Sequence, residues 1–215
     1  MTGGDMRTLD VEQFVLTHAP APPARMLEIG CGAGELAMNL AQLGYDMTAI
    51  DPEAPAGAIF RPTSLEDFHD QQPFDVVVAS RSLHHIADLA EAVKRIHSLL
   101  ISRGLLIVNE FAWDQMDERT AHWYLSHVQE PRPEDGSLLP GKFPDAWIDE
   151  HDGLHDSRRM RRALKVLFAE QLWEWVPYIA EHYLQQPKLV GEEAELIRTD
   201  KINPLSFRFV GLVDT

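Results

Sequence analysis

The sequence predicts a doubly wound α/β fold, and three observations carry that reading. A strand-like run, Met26-Leu27-Glu28-Ile29, enters the glycine-rich turn Gly30-Cys31-Gly32-Ala33-Gly34 and passes straight into a helical pattern. Two later runs, Phe74–Ala79 and Leu105–Val108, are nearly continuous in apolar residues, as strands buried on both faces of a parallel sheet are. Helical patterns separate these runs with short connections, which is the order of repeated βαβ units with right-handed crossovers. Ligands of such sheets gather at the carboxyl ends of the strands.

Taken in order, residues 10–19 read as a short amphipathic helix carrying Val11, Phe14, Val15 and Leu16, ended by Pro20, Pro22 and Pro23. After the first strand and the glycine turn, Glu35–Leu43 sets Leu36, Ala37, Leu40 and Leu43 at helical spacing, and Gly44 closes the helix. Asp46–Asp51 is the second strand and ends on an acid. Ala87–Ile101 is a helix between the two apolar strands, with Gly104 after it. Beyond Glu110 the texture changes. A helix is expected over Glu118–Val128, then a loop with Pro131, Pro133, Gly136, Pro140, Gly141 and Pro144, then the segment Asp145–Asp156. Ser157–Phe168 reads as a helix, and Trp173–Ile179 and Phe207–Val213 as the last strands. One domain accounts for the whole chain: an arm at 1–24, a ligand-binding half at 25–110, a cap at 111–170 and closing strands at 171–215.

Composition narrows the function. The chain has 215 residues and no apolar run near the ~20 residues of a membrane helix, so no membrane partner is expected. Residues 1–13 hold Asp5, Asp10 and Glu12 and no apolar block, so no secretory signal is read and a cytoplasmic location is expected. The net charge of −15, from 34 acids and 19 bases, argues against a nucleic-acid partner, because phosphate binding rests on Lys and Arg. A small molecule is the expected partner. The lone cysteine, Cys31, lies inside the glycine turn and reads as a packing residue in a reducing compartment.

Glycines between a strand and a helix let backbone amides approach a ligand. Here the spacing is G-x-G-x-G, and Glu35 stands where a dinucleotide enzyme would have its third glycine. A carboxylate there repels a pyrophosphate, whereas Asp51 at the next strand tip is placed to accept from both hydroxyls of a ribose. The pattern suits a nucleoside without phosphate.

Leu27-Glu28-Ile29-Gly30-Cys31-Gly32-Ala33-Gly34, Asp51, Phe74-Asp75-Val76-Val77-Val78 and Ser82-Leu83-His84-His85 together resemble the class I S-adenosylmethionine-dependent methyltransferases, in the branch acting mostly on small molecules. The resemblance is detailed over about residues 20–110. It implies a Rossmann-like seven-stranded sheet whose last strand, Phe207–Val213, runs antiparallel beside Trp173–Ile179. It also implies S-adenosyl-L-methionine as cofactor, with 25–110 as the cofactor-binding half. Glu28, Gly30, Cys31, Gly32 and Gly34 would line the methionine part, Asp51 the ribose and Pro52 the adenine face. Ser64 with the Leu65 amide, or else Glu66, would read the adenine edge, and Ala79 and Ser80 would border the methionine end.

Methyl transfer from a sulfonium is an in-line displacement that needs positioning and a dry pocket more than a protein nucleophile. An oxygen or nitrogen acceptor can use a base. His84 and Glu110, at the ends of the fourth and fifth strands, are the catalytic candidates; His85 is expected to pack under the following helix. All five tryptophans fall after residue 110. Trp113, His122, Trp123 and Trp147 are the substrate candidates in the cap, against the plainer reading that such aromatics build the cap's own core, while Trp173 and Trp175 read as structural. His151 and His155 have a metal-like spacing, but Gly153 breaks the helix it needs, so no metal is expected and the segment reads as a solvated loop with Asp156 or Ser157 capping the next helix. The basic run Arg158, Arg159, Arg161, Arg162 and Lys165 reads as a solvated helix face. The resulting expectation is methyl transfer to an oxygen or nitrogen of a small metabolite, aromatic ones included. The alternative is a non-catalytic cofactor-binding regulatory or assembly protein of the same fold.

Overall fold

The computed structural model describes residues 11–128 and 141–214. The expected start of the first helix at residue 10, the arm before it, and Pro131, Pro133, Gly136 and Pro140 of the cap loop lie outside the described residues.

The first half follows the expected order: helix α1 (Val11–His18), strand β1 (Arg25–Ile29), helix α2 (Glu35–Gln42), strand β2 (Asp46–Asp51) and strand β3 (Phe60–Pro62). Strand β4 (Phe74–Ser80), helix α3 (Leu89–Leu99) and strand β5 (Leu100–Phe111) come next. Asp88 caps α3 by accepting from the Glu91 amide at 3.0 Å. Then come α4 (Glu118–His127), α5 (Phe143–Glu150), α6 (Ser157–Leu167), strand β6 (Phe168–Val176), α7 (Val190–Arg198) and strand β7 (Ser206–Val213). The seven strands form one sheet in the order β3-β2-β1-β4-β5-β7-β6, with the last strand antiparallel. β1 is central to the parallel part: it pairs with β2, Ile29 opposite Ile50, and with β4, Ile29 opposite Ala79.

Element limits differ from the sequence reading at α3, β5 and β6, and two elements, β3 and α7, were not read. Gly104 does not end α3; it lies in β5, where the register with β4 jumps from Phe74↔Leu100 to Val76↔Leu105. A bulge accommodates the extra residues there, and glycine fits it because a Cβ would stand 2.9 Å from the Ile101 carbonyl oxygen. β3 and α7 carried too little periodicity to be read. β6 begins at Phe168 and stops at Val176, and Ile179 opens a π-helical turn, Ile179–Tyr183.

Two compact units share the chain. Among the described residues, one contains 11–110, Arg158–Glu174 and 208–214; the other contains Phe111–Ser157 and Trp175–Phe207. The expected cap limits of 111–170 therefore shift, because α6 belongs with the sheet unit and Trp175–Phe207 with the cap unit. The sheet unit packs Phe14, Met26, Leu40, Val76, Val78 and Ile107 in a single core. The cap unit has its own core of Phe111, Trp123, Trp147, Ile179 and Leu205 among others. No helix among the described residues is long and apolar enough to cross a membrane.

Candidate functional site

The glycine turn uses its three glycines for different ends. All have positive φ, +71° at Gly30, +50° at Gly32 and +82° at Gly34, a region that side chains disfavour. A Cβ on Gly30 would fall 2.5 Å from Ser82 Cβ, and one on Gly34 would fall 2.4 Å from the Phe60 ring. Those two glycines let neighbouring elements close. Gly32 differs, since a Cβ there would meet nothing within 4 Å. Its amide donates to Asp51 Oδ2 at 3.1 Å, while Asp51 Oδ1 accepts from the Glu53 amide at 2.8 Å. A carboxylate has about four acceptor positions, so both oxygens of Asp51 retain capacity.

A cavity of about 370 Å³ lies at the carboxyl ends of β1, β2 and β4. Its walls are Ile29, Gly30, Ile50, Asp51, Pro52, Thr63, Ser64, Leu65, Glu66, Arg81, Ser82, His85, Ile86 and Ala87. Of the expected cofactor residues, Gly30, Asp51, Pro52, Ser64 and Leu65 line it. Glu28, Cys31, Gly32, Gly34, Ala79 and Ser80 do not. Ala79 is fully buried, paired with Ile29 on one side and Val108 on the other, which removes it from any pocket edge. Ser64 Oγ accepts from the Asp67 amide at 3.3 Å, a turn contact, and Glu66 on the same wall is solvent-exposed.

Glu28 is 4% exposed, and its Oε2 has no hydrogen-bond partner among the described residues. Burial pushes its carboxyl up to about 7, opposed by the Ala37 amide and reinforced by the charge of Asp51. Cys31 is likewise pushed up to about 11, by burial and then by Glu28 and Asp51, which makes it a poor nucleophile in keeping with its packing role.

The catalytic candidates His84 and Glu110 are together, but off the cavity wall. Glu110 is fully buried; its Oε1 accepts from the amides of Ser82 (2.7 Å) and Leu83 (2.6 Å), and its Oε2 faces His84 Nδ1 at 2.6 Å. His84 is buried as well. His85, expected under the helix, instead lines the cavity. Sequence reasoning also passed over Arg81, whose φ of +52° has no sequence signal in an arginine.

In the cap unit the three tryptophans among the substrate candidates are held by hydrogen bonds of their indoles. Trp147 is buried and donates its indole N–H to the Trp113 carbonyl at 2.9 Å; Trp113 donates to the His155 carbonyl at 3.2 Å; Trp123 is buried and donates to Glu192 Oε1 at 2.9 Å. His122 is solvent-exposed on α4. The histidines of the 151–156 segment are buried, not solvated: His151 stacks on Trp113 with centroids 6.1 Å apart and lies 4.3 Å from Trp147. Packing against tryptophan, invisible in a polar sequence, pulls that loop inward. The amide of Ser157, at the start of α6, donates to Asp114 Oδ1 at 2.8 Å. No group of metal-ligating side chains occurs among the described residues. In the sheet unit, the solvated-face reading of the basic run agrees with the exposure of Arg158, Arg159, Arg162 and Lys165 and with the two hydrogen bonds from Arg161 to Glu170.

Comparison with known proteins gives consistent findings. A family described as a methyltransferase domain matches residues 7–142. A ubiquinone biosynthesis O-methyltransferase of Bradyrhizobium diazoefficiens is 31% identical over 98 residues, covering 40% of this chain and 39% of that protein. One of Xanthomonas campestris pv. campestris is 32% identical over 111 residues, covering 45% and 46%. The alignments thus span less than half the length of these curated relatives. Among solved structures, an S-adenosylmethionine dependent methyltransferase from Mesorhizobium loti superposes with a TM-score of 0.59 at 20% identity over 93% of this chain and 95% of that one. The N-methyltransferase NodS from Bradyrhizobium japonicum, in complex with S-adenosyl-L-homocysteine, gives 0.56 at 14% identity over 94% and 82%. At these identities the structures establish the shared fold.

Proposed function

This chain belongs to the methyltransferase-domain family, and from that premise we propose that it transfers the methyl group of S-adenosylmethionine to an oxygen or nitrogen of a small metabolite, aromatic ones included. The observation that carries the reading is Asp51, at the tip of β2, tied to the Gly32 amide and facing a cavity of nucleoside-sized volume. The residues fit the cofactor on three counts: an acceptor for ribose hydroxyls, a turn with room above Gly32, and a buried Glu28 oxygen without a partner, suited to a cationic amino group. The cofactor supplies an electrophilic methyl group. The protein holds it: Asp51 fixes the sugar, Pro52 and Leu65 offer apolar surface to the base, and Ser64 or Glu66 reads the base edge. The names of the curated relatives favour oxygen as the acceptor atom. The excess of 34 acids over 19 bases favours a free metabolite over a nucleic acid, and a cytoplasmic location goes with this reading.

Titration calorimetry with S-adenosylhomocysteine tests it. Asp51→Ala is expected to weaken binding by about 3 kcal/mol, on the order of a hundredfold in Kd, with the thermal melt showing a folded protein. Unchanged affinity removes the ribose assignment. The alternative, a binder without catalysis, predicts the same calorimetry but no turnover of S-adenosylmethionine with any phenol or amine.

A further inference from the structure

We propose that Arg81 is the carboxylate-binding residue of the cavity, and that it selects small molecules bearing an anionic group at the tip of β4. This rests on the methyl-transfer reading above and adds to it a residue for charge recognition. The order of the sheet sets the direction. Asp51 ends β2 and residues 63–66 follow β3, so a nucleoside held by Asp51 with its base against Ser64 and Leu65 lies over the β2–β3 side of the cavity. The order β3-β2-β1-β4 then sends whatever hangs from the 5′ carbon the other way, across β1 toward β4. Two strand spacings, about 9–10 Å, separate the tips of β2 and β4. An extended amino-acid tail and an arginine side chain together cover that distance.

Arg81 is the first residue past β4 and stands on the cavity wall with Gly30 and Ser82, just before the 3-10 turn Leu83–His85. Its backbone is left-handed, φ +52°, and its amide donates to the Asn109 carbonyl at 2.8 Å, one step beyond the Ser80↔Asn109 pair of the β4–β5 ladder. Glycine and asparagine take that conformation at less cost, so what recommends an arginine there is its side chain. The charges of the wall define its use. Asp51 and Glu66 are acids, and a carboxylate entering the cavity is repelled by both. Among the lining residues Arg81 carries the permanent positive charge, and its planar guanidinium can hold a carboxylate through two parallel N–H donors. Two reactants can bring that group: the amino-acid tail of S-adenosylmethionine, and an acidic methyl acceptor approaching the sulfur from the same end.

Titration calorimetry on the full chain tests the proposal with two pairs of probes. S-Adenosylhomocysteine is set against S-adenosyl-3-thiopropylamine, the same molecule without its carboxylate, and 3,4-dihydroxybenzoate is set against catechol on protein saturated with S-adenosylhomocysteine. Arg81→Gln is expected to weaken the carboxylate-bearing member of one pair roughly 10-fold to 100-fold while leaving the other member within about twofold, and Arg81→Lys to recover part of the loss. Loss in the first pair assigns the cofactor tail, and loss in the second an acidic acceptor. Arg81→Gly guards against misfolding: glycine adopts a φ of +52° freely, so this variant should keep its melting temperature and show the same selective loss. An unchanged affinity ratio in both pairs, or equal losses with and without the carboxylate, overturns the proposal; where neither the benzoate nor catechol binds, the first pair decides alone. Failure of S-adenosylhomocysteine to bind the unaltered chain is a different result, which sinks the methyl-transfer reading and this inference with it.

Discussion

Glu28 in the sheet unit and Glu193 in the cap unit are both buried carboxyls pushed above the usual range by desolvation, yet they differ in how they are satisfied. Glu193 accepts from three successive amides, Tyr178 at 2.8 Å, Ile179 at 3.0 Å and Ala180 at 2.8 Å, and so closes the π-helical turn internally. Glu28 leaves Oε2 without a partner beside a turn that is open at Gly32. A satisfied buried acid holds a fold together; an unsatisfied one marks where a partner from outside is expected. The same contrast runs through the two units, since Trp113, Trp123 and Trp147 spend their indole N–H groups on acceptors within the cap while the sheet edge keeps acceptors facing a cavity.

Four substitutions test that contrast. The largest effect is expected from Glu193→Ala, which strands three amide donors and should cost about 3–5 kcal/mol in urea unfolding while leaving affinity for S-adenosylhomocysteine intact in the folded fraction. Gly34→Ala should follow with about 2–4 kcal/mol, because its Cβ meets the Phe60 ring and its φ is positive. Glu28→Gln should go the other way. A carboxyl whose folded value is raised from 4.5 to about 7 binds protons more tightly in the folded state, so stability falls as pH rises from about 4.5 to 7. Denaturation at pH 8 should therefore show the glutamine variant more stable, on the order of 1–3 kcal/mol, with weaker cofactor binding. If Glu28→Gln instead unfolds the protein as Glu193→Ala does, the two acids play one role and the contrast fails. Gly32→Ala is the mildest for stability, about 1 kcal/mol from its φ alone, with its main effect on nucleoside affinity.

The parallel strands were readable because burial on both faces leaves uninterrupted apolar runs, and the turn was readable because three alternate positive-φ positions favour glycine. Asp51 followed from strand length. β3 escaped because three residues ending in Pro62 show no period, and α7 because Gly191 and three glutamates blur its apolar face. The choice between His84 and His85 was beyond sequence. Adjacent residues in a 3-10 turn point different ways, and which one meets the cavity depends on Glu110, twenty-five residues and more away and fixed only by strand pairing. His151 looked solvated because its stacking on Trp113 joins segments far apart in sequence, as does the bond from the Trp113 indole to the His155 carbonyl.

The Phe60 ring seated against Gly34 has a thermodynamic corollary for ligand recognition. Since the ring and the carboxylate of Asp51 already hold the loop, its conformational entropy is surrendered when the chain folds. Association then requires little reorganisation, and affinity for the nucleoside should carry only a small penalty for ordering the backbone.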